Sequence, residues 1–158
     1  EGLNEHQATE AMKTEMPKMI SSDTYLKSLW KEIELNPEKK NGNMMLGFKY
    51  FLNLWVKEKI IVKGIIPWKD FRKNVRNGLK TILKNTNTNQ NIGVFSSGGT
   101  ISSITAESLN IENEMKIADL NFSIRNTSFT SFLYSKEKFN LLSFNELPHL
   151  KKDMITFV

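Results

Sequence analysis

Apolar side chains recur every three or four residues over the first 84 positions, which predicts a series of amphipathic helices. The polar PEKKNGN after Asn36 predicts a turn between the second and third of them. Trp30, Phe48, Phe51 and Trp55 could line a pocket, but core packing is the favoured interpretation. The four predicted helices run through Ala8–Met19, through Leu26–Ile33 after an N-cap at Asp23, through Met44–Val56, and over residues 67–84.

The pattern changes after residue 91, where shorter apolar runs alternate with turn residues. Ile92–Phe95 predicts a strand, Ser-Ser-Gly-Gly-Thr a turn, and Ile101–Leu109 a helix. Two β-like segments follow at Asn126–Tyr134 and Phe139–Phe144, with SKEK as the hairpin turn between them. Helices first, and then strands with a crossover helix, predict a mixed α/β sheet with helices on its faces.

The composition is that of a globular domain, with 39% hydrophobic and 25% charged residues among 158. No apolar run approaches the roughly 20 residues that span a bilayer, so no membrane partner is expected. The chain has no cysteine, which excludes a disulfide framework and a thiolate zinc site and fits a cytoplasmic protein. His6 and His149 are the two histidines, and we expect neither a metal nor a cofactor.

The net charge of +5 is carried unevenly, with a basic face on the fourth predicted helix. The apolar side chains of that helix fall on a separate face, so a solvated outer face of a core helix is the favoured interpretation. A nucleic-acid contact is the alternative, but no recognition motif accompanies it. The basic residues are Lys69, Lys73, Arg76, Lys80 and Lys84.

The stretch GVFSSGGTISSIT at residues 93–105 has the strand-turn-helix order by which α/β proteins build phosphate sites. It is not a nucleotide-binding P-loop, because Gly99 stands where the P-loop lysine belongs. It is not a nucleophile elbow either, because Val94 and Phe95 stand two residues before the serines Ser96 and Ser97.

Four segments of the chain, in order, resemble the histidine phosphatase superfamily. VFSSGGTI resembles the family's strand-end motif, in which Ser-His-Gly-Gly follows two hydrophobic residues. GLNEHQA near the start resembles the Leu-Asn-Glu segment of phosphoglycerate mutases, and PWKDFRKNVRNGLKTIL looks like the helix before the strand. The C-terminal segment resembles the family's hairpin, with matches at Asn126, Ser128, Asn145, His149 and Leu150.

The resemblance implies a three-layer α/β/α fold with a mostly parallel central sheet, as one domain over residues 1–158. Within it, residues 20–66 would be a helical insertion over the site. The family's nucleophilic histidine sits in an Arg-His-Gly motif, which this chain lacks. We therefore expect the domain to be N-terminally incomplete, with the first strand and the nucleophile outside the given sequence.

The resemblance also implies covalent phosphoryl transfer through a phosphohistidine, with Glu5 as the acid that protonates the leaving group. Ser97 stands in place of the family's second histidine, so a neutral hydroxyl replaces a charged donor. Ser97, Gly98 and Gly99 are expected to bind the phosphate of a small phosphorylated substrate. Hydrolysis of phosphate monoesters by the intact protein is predicted. The alternative is an impaired relative that binds a phosphorylated ligand or a protein partner, and the oligomeric state stays open.

Overall fold

The computed structural model describes residues 2–87, 89–135 and 138–156. Over these residues, six α-helices precede one antiparallel strand pair, and short 3-10 helices lie at Pro37–Lys39 and Lys152–Met154. By its internal contacts the chain divides into two compact units, residues 7–68 and residues 1–6 with 69–158. The elements are α1 (Ala8–Ser22), α2 (Thr24–Leu35), α3 (Lys40–Val56), α4 (Trp68–Lys84), α5 (Gly98–Leu109), α6 (Glu114–Asn121), β1 (Phe129–Tyr134) and β2 (Phe139–Glu146).

The unit of residues 7–68 is a packed group of helices, as the apolar spacing predicts. Leu26 of α2 and Phe51 and Trp55 of α3 are buried, so the core interpretation is confirmed for Phe51 and Trp55, whereas Trp30 and Phe48 are only partly buried. Asp23 is the predicted N-cap of α2, and its carboxylate accepts hydrogen bonds from Leu26 N at 2.9 Å and Tyr50 Oη at 2.8 Å. The predicted insertion at 20–66 falls within this unit, but its placement over a site stays a prediction.

The turn predicted at PEKKNGN is wrong, because Pro37–Lys39 forms a 3-10 helix and α3 already begins at Lys40. Pro37 occupies the first helical position, where its missing N–H removes no hydrogen bond and its fixed φ favours the helical conformation. The proline therefore starts a helical segment instead of only ending α2.

In the unit of residues 1–6 and 69–158, α5 lies in the core, with Thr100, Ser102 and Ser103 fully buried. Helix α6 was not predicted, because eight residues give too short a pattern; Asn113 caps it by accepting from Met115 N and Lys116 N. The predicted hairpin is confirmed, with Phe132 opposite Leu141 and Tyr134 opposite Phe139. Lys136 and Glu137 of its SKEK turn lie outside the described residues.

The strand predicted at Ile92–Phe95 is wrong, since residues 91–97 form no regular element. A strand needs a neighbouring backbone for its hydrogen bonds, and β1 and β2 pair with each other. The side chain of Phe95 is accordingly fully exposed. Helices and strands are both present, as in an α/β protein, but a three-layer fold around a mostly parallel sheet is not confirmed by the described strands, which are antiparallel.

None of the helices in the described part of the chain is both long and apolar enough to cross a membrane.

Candidate functional site

The glycine turn at Ser97–Gly99 is the N-terminus of α5, and its serine stands at the N-cap without capping the helix. Ser97 is the N-cap in extended conformation, yet its side chain makes no capping hydrogen bond. Asp23 and Asn113, by contrast, accept backbone N–H groups of their own helices. The Oγ of Ser97 is buried and has no hydrogen-bond partner among the residues that the structure describes. The first N–H groups of α5 have no partner within the helix, and the positive end of its dipole favours an acceptor that carries negative charge.

Both glycines of this turn are required by close packing. A Cβ atom on Gly98 would lie 2.5 Å from Asn121 Oδ1, and one on Gly99 would lie 2.7 Å from His6 Nε2. Both glycines belong to α5 and neither has a positive φ, so it is space that excludes larger residues here. The start of α5 is therefore tightly held on two sides.

The N-terminal segment Leu3–His6 lies on the same end of α5. Leu3 O accepts a hydrogen bond from Ser96 Oγ at 2.7 Å, and Asn4 O accepts one from Thr100 Oγ1 at 2.9 Å. His6 is buried and its ring packs edge-on to Phe71, with centroids 5.5 Å apart. The structure thus brings the segment of Glu5 to the turn of Ser97, although more than 90 residues separate them in sequence. Glu5 itself is exposed, and its role as the acid stays a prediction.

The predicted C-terminal motif residues hold the hairpin to the chain before it. Asn145, at a positive φ of 60°, accepts from Arg125 N at 2.9 Å and donates from Nδ2 to Ser123 O at 2.6 Å. Asn126 Nδ2 donates to Thr156 Oγ1 at 2.9 Å. These contacts indicate a structural role for the two asparagines.

The other two polar matches in that motif differ from each other. His149 is exposed, lies 3.1 Å from Thr127 Oγ1 through its Nε2, and packs its ring edge-on to Phe129. Ser128 has a buried Oγ without a partner in the described part of the chain. The contacts of His149 are thus those of a hairpin residue, and among the described residues they do not include the glycine turn.

Sequence reasoning missed Arg72, whose side chain is 1% exposed. Its guanidinium donates to Ser103 O, Glu107 Oε1 and Glu114 Oε2, each at 3.0 Å. The sequence does indicate that Arg72 is buried, because at helical spacing it falls on the same face as the apolar residues Trp68, Val75 and Leu79. A cation on such a stripe indicates a buried ion pair with acidic residues elsewhere in the chain.

The basic face of α4 is largely solvated, as predicted, with Lys69, Lys73, Lys80 and Lys84 exposed. Arg76 instead pairs with Glu107, with its Nε 2.7 Å from Oε1. In the described ranges, no three His, Cys, Asp or Glu side chains lie together in a way that could hold a metal ion.

A family model described as the histidine phosphatase superfamily (branch 1) matches residues 52–147, which is more than half of the chain. The match takes in α4 with Arg72, the glycine turn with Ser97 and the hairpin, whereas Glu5 lies outside it. No curated protein and no solved structure matches the chain.

Proposed function

The chain belongs to the histidine phosphatase superfamily (branch 1), and on that premise we propose that its Ser97–Gly99 turn binds the phosphoryl group of a small phosphate monoester. Phosphoryl transfer is the general chemistry of the superfamily. The specific activity proposed for the intact protein is hydrolysis of the monoester through a phosphohistidine.

One observation carries the proposal, namely the buried and uncapped hydroxyl of Ser97 at the start of α5. A buried hydroxyl without a partner costs free energy, and a ligand that accepts its hydrogen bond recovers that cost. The N–H groups of Gly98 and Gly99 add donors at the positive end of a 12-residue helix. A tetrahedral dianion meets these donors better than a neutral group does.

In the proposed reaction a histidine attacks phosphorus while the bond from phosphorus to the leaving oxygen breaks. Glu5 donates its proton to that oxygen, and water then hydrolyses the phosphohistidine. Glu5 is suited to this step because it is exposed, on a segment that Ser96 and Thr100 hold at the turn. The proposal assigns the nucleophile to neither histidine of the sequence, because His6 is buried and His149 belongs to the hairpin.

Turnover of p-nitrophenyl phosphate by the intact protein, which has to supply the histidine nucleophile, tests this function. Wild-type protein is compared with Glu5→Ala and with Glu10→Ala, which removes an exposed carboxylate in the first turn of α1. We expect Glu5→Ala to lower kcat by roughly 10²- to 10⁴-fold and Glu10→Ala to leave it unchanged. Equal turnover by wild type and Glu5→Ala would remove Glu5 from the mechanism. Ser97→Ala is expected to weaken inhibition by vanadate.

The second candidate function is phosphate recognition without turnover. Ser97 favours it, because a neutral hydroxyl stabilises transition-state charge less than a protonated imidazole. Isothermal titration calorimetry with inorganic phosphate distinguishes phosphate binding without turnover from hydrolysis. Binding that is lost in Ser97→Ala, together with no turnover by wild type, would establish the binding function and exclude the enzyme.

The fold that accompanies this function is the three-layer α/β/α arrangement with a mostly parallel sheet, which we also propose. Ile92 and Val94 are exposed and line a groove of about 1400 Å³ whose walls include Ile101 and Phe132. The groove is apolar surface of the kind that further sheet structure would cover.

The partners proposed for the protein follow from the same site. A small phosphorylated molecule in the cytoplasm is the proposed substrate, and neither nucleic acid nor membrane is proposed as a partner. The proposal that the protein does not bind nucleic acid is testable, because the exposed lysines of α4 would bind a duplex electrostatically, and such binding is strongest at low salt. We expect no duplex binding at low salt, and measurable binding would contradict the proposal.

A further inference from the structure

The guanidinium of Arg72 is connected to the glycine turn through Ser103, which takes part in two hydrogen bonds. Its Nη1 donates to the backbone carbonyl of Ser103 at 3.0 Å, in the middle of α5. A carbonyl oxygen has two lone pairs, so it can accept this bond beside the one within its helix. The hydroxyl of Ser103 then donates to Gly99 O at 2.8 Å, one helical turn nearer the site.

Arg72 also joins α5 to α6. Its Nη2 donates to Glu107 Oε1 in α5 and its Nε to Glu114 Oε2 in α6, both at 3.0 Å. Burial of a guanidinium is costly unless its donors are paired, and these bonds use all three of its nitrogens. Because the three acceptors lie in fixed directions on two helices, the planar guanidinium fixes how α4, α5 and α6 meet.

Arg76 provides an internal comparison. It contacts the same two carboxylates, with Nε 2.7 Å from Glu107 Oε1 and Nη2 3.8 Å from Glu114 Oε1. Its side chain is 43% exposed, and no bond from it to the backbone of α5 is found among the described residues. The two arginines therefore share their ion pairs and differ in the bond to Ser103 O.

From this geometry we infer that Arg72 is a positioning residue for the Ser97–Gly99 turn. It holds α5 along its axis and so determines where Ser97 Oγ and the N–H groups of Gly98 and Gly99 meet a phosphoryl group. This inference rests on the proposed function, in which the turn is the phosphate site. In this inference Arg72 does not contact the substrate. It acts on the glycine turn indirectly, through Ser103.

The test compares Arg72→Lys with Arg76→Lys in the otherwise unchanged protein. A lysine keeps the charge but cannot bond three acceptors in the arginine plane. We expect the backbone amide chemical shifts of Gly98 and Gly99 to change in Arg72→Lys and to remain unchanged in Arg76→Lys. In a titration with inorganic phosphate, Arg72→Lys is expected to raise Kd about tenfold and Arg76→Lys to leave it within twofold, since misplaced ligand contacts lose affinity steeply.

Ser103→Ala is the second variant, because it removes the side-chain bond to Gly99 O and retains the whole Arg72 ion-pair network. It is expected to shift the same two glycine signals, and it keeps the test decisive if Arg72→Lys does not fold. A role in stability alone would lower the denaturant midpoint of Arg72→Lys without moving those signals, and that result would overturn the inference. So would equal shifts in Arg72→Lys and Arg76→Lys, or unmoved signals in Ser103→Ala.

The signals of the phosphate-free protein separate this inference from the proposed function. Glycine shifts confined to Arg72→Lys and Ser103→Ala, with no phosphate bound by wild type, would support the positioning of α5 and remove the phosphate function. Phosphate binding that is equal in all variants would support the function and overturn the role of Arg72.

Discussion

His6 occupies the space that any side chain on Gly99 would need, because a Cβ atom there would lie 2.7 Å from His6 Nε2. The imidazole is buried and packs edge-on to Phe71, so it cannot give way without disturbing a second aromatic ring. This contact attaches the segment that carries Glu5 to the helix that begins at Ser97. The glycine is therefore required for the assembly of the candidate site.

We predict that Gly99→Ala destabilises the protein by about 1–3 kcal/mol through overpacking against His6. The measurement is the free energy of unfolding in urea. His6→Ala should cost stability as well, but the double variant should cost less than the sum of the two, because the added methyl group then enters vacated space. Additive losses would contradict a direct contact.

Gly42→Ala is the matched control for that experiment. Gly42 lies in α3, and nothing within 4 Å surrounds the position of its missing Cβ among the described residues. Alanine in a helix interior is favoured over glycine by roughly 0.5–1 kcal/mol. A gain in stability at Gly42 beside a loss at Gly99 would show that packing, and not the substitution itself, decides the result.

We predict that Ser97→Ala does not lower the stability of the ligand-free protein. Its hydroxyl is buried and makes no hydrogen bond within the described ranges, so its removal breaks none of them. Asn113→Ala, which removes a cap that accepts two N–H groups, should cost about 1 kcal/mol. Thermal and urea unfolding of both variants measure the difference, and an equal loss would show that Ser97 does cap α5.

The helical part of the fold could be predicted from the sequence because each helix carries its own apolar stripe and several have readable caps. Asp23 behaves as the capping rule expects, and the hairpin from Phe129 to Glu146 follows from its alternating pattern. The wrong prediction of a strand at Ile92–Phe95 has a physical reason. The local sequence pattern shows that a segment is able to form a strand, but it does not show whether another strand lies beside it to pair with.

The candidate site was predictable in part. The turn at Ser97 could be found because glycines between a predicted strand and a predicted helix indicate a phosphate site. The contact between His6 and Gly99 could not, because it joins residues more than 90 positions apart and depends on shape. Arg72 was missed for another reason: the basic side chains considered were those of the solvated face of α4, and this buried arginine lies outside that face.

We predict that Arg72→Met lowers the free energy of unfolding by about 3 kcal/mol, because it leaves two carboxylates and a carbonyl without their buried partner. Arg76→Met removes a half-exposed side chain from the same carboxylates and should cost no more than about 1 kcal/mol. Urea unfolding of the two variants gives the comparison. Similar losses would mean that the burial of Arg72 is not what makes its bonds strong.

The last prediction concerns acid stability and the carboxylate of Asp23. The hydrogen bond from Leu26 N, and after it that from Tyr50 Oη, holds the pKa of Asp23 below its ordinary value of 3.8. A group with a lowered folded-state pKa stabilises the fold above its unfolded pKa, and this stabilisation is lost as the pH falls through the folded value. The affected window therefore lies below about pH 4.

Asp23→Asn keeps an acceptor for the cap of α2 but cannot titrate. We expect wild type to be more stable than Asp23→Asn at pH 6, and the gap between their free energies of unfolding to shrink as the pH falls below about 4. Tyr50→Phe removes one of the two bonds to the carboxylate, so it should raise the pKa of Asp23 toward its ordinary value. Its stability should consequently begin to fall at a higher pH than that of wild type. A gap that stays constant from pH 6 to pH 2 would show that Asp23 is not a source of acid sensitivity.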